Sequence, residues 1–137
     1  IGLAGVVAGP QVHFVDRRGL TDPLAARLRL TRRARPGHEK SLPNAWIIAR
    51  FVDPEQEPAL SASVAAARRA LGCGDLAQLL RAVEEPLTPR RFVDNMRLSW
   101  RLTRLRVAAD PEAAAHELCG EGREQARLWL TPVPARG

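Results

Sequence analysis

The sequence predicts an α+β fold: a mostly helical single domain with a small β-sheet. Three observations carry this prediction. Asp-Pro or Thr-Pro pairs recur at Asp22, Asp53, Thr88 and Asp110, and they read as capped helix starts. The side chain of the first residue accepts an orphan amide, and proline suits a helical position whose N–H has no partner. Apolar residues then recur at helical spacing, as in Phe92, Met96 and Trp100 at i, i+4 and i+8. Finally, Val12, Phe14 and Val15 form a short apolar run ending at Asp16, and Arg127 to Thr131 alternates weakly. These two stretches read as strands that pair with each other.

Taken in order, Ile1 to Gly9 is small and apolar and is broken by Gly9–Pro10, a loop or edge strand leading into the Val12–Val15 strand. Gly19 permits a turn. Asp22 caps a first helix, with Pro23 at its first position, running to about Arg29. Leu30 to Gly37 carries Arg32, Arg33 and Arg35 and reads as a basic loop, either simply solvated or in contact with anionic headgroups. Ser41 caps a second helix that passes Pro43 and runs through Phe51, with Trp46, Ile47, Ile48, Phe51 and Val52 forming a broad apolar face. Asp53–Pro54 ends it. Pro58 to Leu71 is alanine-rich and helical, closed by Gly72. Asp75 caps a helix over Leu76 to Val83, stopped by Pro86. Thr88–Pro89 opens a longer helix whose remaining faces carry Arg90, Arg91, Arg97, Arg101 and Arg104. Asp110–Pro111 opens the last helix, ending at Cys119–Gly120, with glycine a favoured terminator. Pro132 to Gly137 reads as a flexible tail. The Asp-Pro and Thr-Pro pairs do not mark a sequence repeat, because the residues between them do not match.

Composition narrows the function. At 137 residues, 45% hydrophobic and 26% charged, the chain suits one folded domain with a modest core. The net charge of +6 rests almost wholly on arginine, since Lys40 is the only lysine. This favours anionic partners, among them nucleic acid, lipid headgroups and acidic glycans. Aromatics make up only 4%, which argues against base-stacking platforms. The Arg90–Arg106 helix is the only candidate for a nucleic-acid groove, and Asp94 with the apolar stripe weakens it, so no nucleic-acid partner is expected. No run approaches the roughly 20 apolar residues needed to cross a bilayer, and no signal peptide is visible. An opening at Ile1, inside an apolar run, reads as a cut from a longer protein.

The recognisable catalytic signatures are missing. Phosphate-binding glycine loops, GxSxG elbows and HExxH pairs do not occur. His13, His38 and His116 are isolated, so no metal site and no cofactor is expected. Sugar chemistry calls for paired carboxylates; Asp16 and Asp22 flank one turn, but Asp22 already has a structural role as a helix cap. Cys73 and Cys119 are too few for a structural zinc site and too far apart for CxxC redox chemistry. Two buried thiols and a disulfide both remain open on the residues alone.

DRRGLTDPLAARL at Asp16 to Leu28 and RPGHEKSLPNAW at Arg35 to Trp46 resemble the segment after the last membrane helix of actinobacterial arabinofuranosyltransferases. These are multi-spanning cell-wall glycosyltransferases of the GT-C type, and the resemblance is to the terminal β-1,2 group. Asp16, Gly19, Leu20, Asp22, Pro23, Leu24, Ala26, Arg27, Leu28, Gly37, His38, Glu39, Lys40, Pro43 and Trp46 carry it. EPLTPRRFVDN at Glu85 to Asn95 and DPEAAAHELCG at Asp110 to Gly120 extend it. One departure is Arg29 after Leu28, where the family pattern has proline.

The resemblance implies a soluble extracytoplasmic domain whose membrane-embedded part lies upstream and holds the catalytic residues and the lipid-linked donor, decaprenylphosphoryl-arabinose. The domain itself is then non-catalytic and helps position a cell-wall arabinan acceptor. Asp16, Arg27, His38, Lys40 and Trp46 would bind substrate, with polar groups for hydroxyls and a ring face for the sugar; Trp100 and Trp129 offer further rings. Asp22, Pro23 and Gly37 would be structural. The oxidising location implied by the resemblance favours a Cys73–Cys119 disulfide. The alternative function is a structural interaction module that docks a membrane surface or a partner subunit.

Overall fold

The computed structural model describes residues 7–9, 12, 14–31, 33–36, 39–56 and 61–120. Among the described residues, five α-helices are bounded: α1 Asn44–Phe51, α2 Ala62–Leu71, α3 Gly74–Glu84, α4 Pro89–Arg104 and α5 Pro111–Cys119. Two 3-10 turns, Ala25–Arg27 and Pro54–Gln56, lie among the connections. None of these helices is long and apolar enough to cross a membrane.

The expected small sheet is overturned. Among the described residues no strand forms, and the only ladder-like contact is an isolated parallel bridge between Leu28 and Val107. Arg29 N–H donates to the Val107 carbonyl at 2.9 Å, and Val107 N–H donates to the Arg27 carbonyl at 2.9 Å. The Val12–Val15 stretch fails as a strand for a physical reason. Val12 N–H turns back to the Gly9 carbonyl at 3.4 Å, Phe14 is exposed, and Asp16 immediately curls the chain into a loop. Among the described residues it has no neighbour to pair with, and a few apolar residues alone do not make a strand. The proposed partner, Arg127 to Thr131, lies outside the described residues, as does the Pro132–Gly137 tail.

Local signals place the helices well. Thr88 Oγ1 accepts Arg91 N–H at 3.3 Å, and Asp110 Oδ2 accepts Ala113 N–H at 2.8 Å, each followed by a proline in the first turn. Ser61 Oγ accepts Val64 N–H at 3.3 Å and starts α2. Some boundaries differ from the sequence reading. The helix expected from Pro23 to Arg29 is a single 3-10 turn. α1 begins at Asn44 after Pro43 and lacks a side-chain cap. α3 begins at Gly74, so Asp75 sits inside its first turn instead of capping it.

The core sits where α2 meets α5 and α1. Ala66, Ala67 and Ala70 of α2 and Ala114 and Ala115 of α5 are all buried, and their short side chains let the two backbones come close. Leu24, Leu28, Leu42, Trp46 and Val107 fill the other side. α3 leans on α2 and α5, and α4 has α3 as its main support. A disulfide joins Cys73, at the α2–α3 junction, to Cys119, at the end of α5.

Candidate functional site

The 16–21 loop is built around one carboxylate. Asp16 Oδ1 accepts Arg18 N–H at 2.9 Å; Oδ2 accepts Leu20 N–H at 2.6 Å, Thr21 N–H at 2.7 Å and the Thr21 hydroxyl at 3.3 Å. Burial pushes this carboxyl up, and the hydrogen bonds from Thr21, Arg18 and Leu20 more than offset that, so its pKa lies below the ordinary 3.8. Gly19 completes the loop at φ +80°, where a Cβ would lie 2.6 Å from the Ala25 carbonyl oxygen.

Arg17 ties the loop to the segment before α1. Its Nε donates to the Leu42 carbonyl at 3.2 Å, and Leu42 N–H donates to the Arg17 carbonyl at 2.9 Å. The result is a shallow cleft lined by Arg18, Gly19, Leu20, Glu39 and Lys40. Lys40 Nζ donates to the Ala26 carbonyl. Partial burial lowers the Lys40 pKa, and the positive charges of Arg106 and Arg27 lower it further, against an opposing pull from Glu39. Arg27 is half-buried beside this cleft, and its Nε is buried without a hydrogen-bond partner. The cleft therefore offers cationic donors and one carboxylate acceptor around an open floor, a composition suited to a polyhydroxyl or anionic ligand.

The five expected substrate-binding residues divide. Lys40 lines the cleft, and Arg27, which does not line it, lies close enough for its charge to lower the Lys40 pKa. Asp16 supports the cleft from behind, because its oxygens are already occupied by the loop. Trp46 is corrected outright: it is fully buried, its indole N–H donates to the Ala109 carbonyl at 2.8 Å, and neither ring face is open to a sugar. His38 lies outside the described residues, as do the structural candidate Gly37, His13 and Trp129. Asp22 and Pro23 sit at the 3-10 turn, where Asp22 Oδ1 accepts Ala25 N–H at 2.8 Å. Asp22 Oδ2 meets Arg50 at 2.7 Å, and Arg50 also reaches Glu84 at 2.7 Å. Asp16 and Asp22 are thus both committed to the scaffold and do not form a free carboxylate pair. Among the described residues no group of three or more His, Cys, Asp or Glu could hold a metal ion.

The sequence reading missed Arg50, and Arg106 entered it only as the end of the Arg90–Arg106 helix. A signal for Arg50 was present. It falls four residues after Trp46, on the helix face turned to the core, where a charge needs a partner.

The role of Asp16 leads to an expected result. Asp16→Asn should lower unfolding stability at neutral pH by about 1–3 kcal/mol, since several amides lose a charged acceptor. The folded-state pKa is lowered, so this stabilisation is fully present above 3.8 and is lost as the pH falls through the folded value. Urea midpoints measured from neutral to acid pH should fall more steeply for the parent than for Asp16→Asn. Parallel curves would show that the carboxylate charge contributes nothing.

Residues 1–117 match the AftB family C-terminal domain. The chain is 33% identical over 116 residues to the terminal beta-(1->2)-arabinofuranosyltransferase of Mycobacterium tuberculosis, covering 81% of this chain and 18% of that protein. It is 31% identical over 116 residues to the protein of the same name from Corynebacterium glutamicum, covering 82% of this chain and 17% of that protein. The chain thus spans less than a fifth of the length of these relatives. No solved structure matches it. With a match that takes in most of its length and includes both the Asp16 loop and the Lys40 cleft, the chain belongs to the AftB family C-terminal domain.

Proposed function

We propose that this is the extracytoplasmic C-terminal domain of a membrane arabinofuranosyltransferase, acting in cell-wall arabinan synthesis by positioning the glycan acceptor. Family membership and the arabinofuranosyltransferase activity by which the two relatives are named support the reaction class. The observation that carries the positioning role is the cleft between the Asp16-held loop, which supplies Arg18, and the segment before α1, which supplies Glu39 and Lys40. The donor is decaprenylphosphoryl-arabinose, bound with the catalytic groups in the membrane-embedded remainder of the protein. The cleft then grips acceptor hydroxyls without taking part in bond making.

The test is arabinose transfer by the full-length enzyme to an arabinan oligosaccharide. Replacing Arg18 and Lys40 together by alanine should raise KM for the acceptor about tenfold or more, from lost charge-assisted hydrogen bonds, and leave kcat nearly unchanged. An unchanged KM in a variant that melts normally would reject the positioning role. It would favour the alternative of a structural module that docks a membrane or another subunit.

A further inference from the structure

α4 is unlike the other helices. It is sixteen residues long, and its only buried residue is Leu102. Its attachment to the body is largely polar. Asn95 Nδ2 donates to the Ala82 carbonyl at 3.2 Å, Arg91 pairs with Glu85 at 2.8 Å, and Arg101 pairs with Asp75 at 3.3 Å. On the side away from α3, Phe92, Met96 and Trp100 stand in single file, 55%, 62% and 71% exposed. One flank of that file is arginine. Arg90, Arg97, Arg101 and Arg104 recur at i, i+7, i+11 and i+14, and the Arg104 guanidinium lies over the Trp100 ring at 4.4 Å. Asp94 is the helix's single carboxylate against five arginines, and Arg90 and Arg97 approach it only at 4.0 and 3.8 Å.

We propose that α4 lies in the headgroup layer of an anionic lipid bilayer, with Phe92, Met96 and Trp100 at the acyl boundary and Arg90, Arg97 and Arg104 on lipid phosphates. Charge complementarity selects this occupant. A second copy of α4 would bring one carboxylate to meet five arginines, whereas an anionic headgroup layer supplies phosphates in excess, and guanidinium grips phosphate in two-pronged fashion. A narrow apolar stripe containing Trp and Phe beside a basic face is the composition of helices that lie in a membrane interface and do not cross it. The inference stands on the helix's own surface and does not rest on the arabinan reading.

The experiment is co-sedimentation of the 137-residue chain with phosphatidylcholine vesicles, with and without phosphatidylglycerol. Binding should require phosphatidylglycerol and weaken as salt rises. Arg97→Gln and Arg104→Gln should each reduce partitioning about fivefold, and Trp100→Ser about tenfold. These side chains are exposed, so the variants should melt like the parent. Three results would overturn the proposal: equal sedimentation with and without phosphatidylglycerol; loss of binding through Arg33→Gln and Arg35→Gln while the α4 variants bind normally; or a dimer in solution that Trp100→Ser dissolves in the absence of any lipid binding. Acceptor KM in the full-length enzyme is a separate readout, so this inference and the positioning role can fail independently.

Discussion

Removing the Cys73–Cys119 bond is expected to lower unfolding free energy by about 4 kcal/mol in the chain-entropy account, because it closes a loop with a sequence separation of 46. The geometry of the fold makes the loss felt where the core is centred. Cys73 follows α2 and Cys119 ends α5, so the bond fastens the far end of the alanine contact on which these two helices rest. Without the bond, that contact rests largely on small side chains. The measurement is denaturant unfolding of the oxidised protein beside the Cys73→Ala/Cys119→Ala variant, with mass spectrometry showing two fewer hydrogens in the oxidised protein than after its reduction. Coincident midpoints would show that the bridge does not constrain the unfolded chain.

An effect of comparable size is expected at Arg50. Its guanidinium and the Asp22 carboxylate are almost completely shielded, with side chains 6% and 4% exposed, and they meet at 2.7 Å. Arg50→Met would leave Asp22 buried opposite an apolar group. Breaking one side of such a pair costs about 3–5 kcal/mol, mostly through the charge left behind. Adding Asp22→Asn should return much of that stability, because asparagine still accepts an amide at a turn and carries no charge. Recovery in the double variant separates this account from simple loss of packing by the long arginine side chain. If the double variant is less stable than Arg50→Met alone, the buried-charge explanation fails.

The readable parts of this fold were those decided within a few residues. Thr88–Pro89 and Asp110–Pro111 start helices because cap and proline act on amides two or three positions away. The turn at Gly19 and the Asp22 cap were likewise placed from local chemistry, whereas Asp16, read as a strand end and a ligand residue, proves to be the acceptor that holds the loop; the resemblance in the Asp16–Leu28 stretch led to the family. What failed depended on distant partners. The Val12–Val15 run has strand composition, but nothing within it shows whether a neighbour exists to pair with. Trp46 has the residue type of a sugar platform, yet the Ala109 carbonyl, 63 residues away, decides that its indole points inward. The period of Phe92, Met96 and Trp100 defines a face and leaves open what covers it; here α3 takes the opposite side. At the candidate site, Lys40 and Arg27 were named from sequence, whereas Arg106 reaches them only through the tertiary fold.

The bridge between Leu28 and Val107 has a consequence for the order in which the domain is completed during synthesis. Leu28 is made early, and its backbone partner appears only after four helices have been laid down. Trp46 must wait for Ala109, and Arg29 meets Glu117 across 88 positions. A nascent chain that has emerged as far as α4 therefore carries its largest core side chain uncovered, and α2 has no α5 to rest on. Long-range closure of this kind slows folding, because the entropy of bringing the ends together is spent before any contact returns it. Native packing of the N-terminal half is therefore expected only once α5 has arrived.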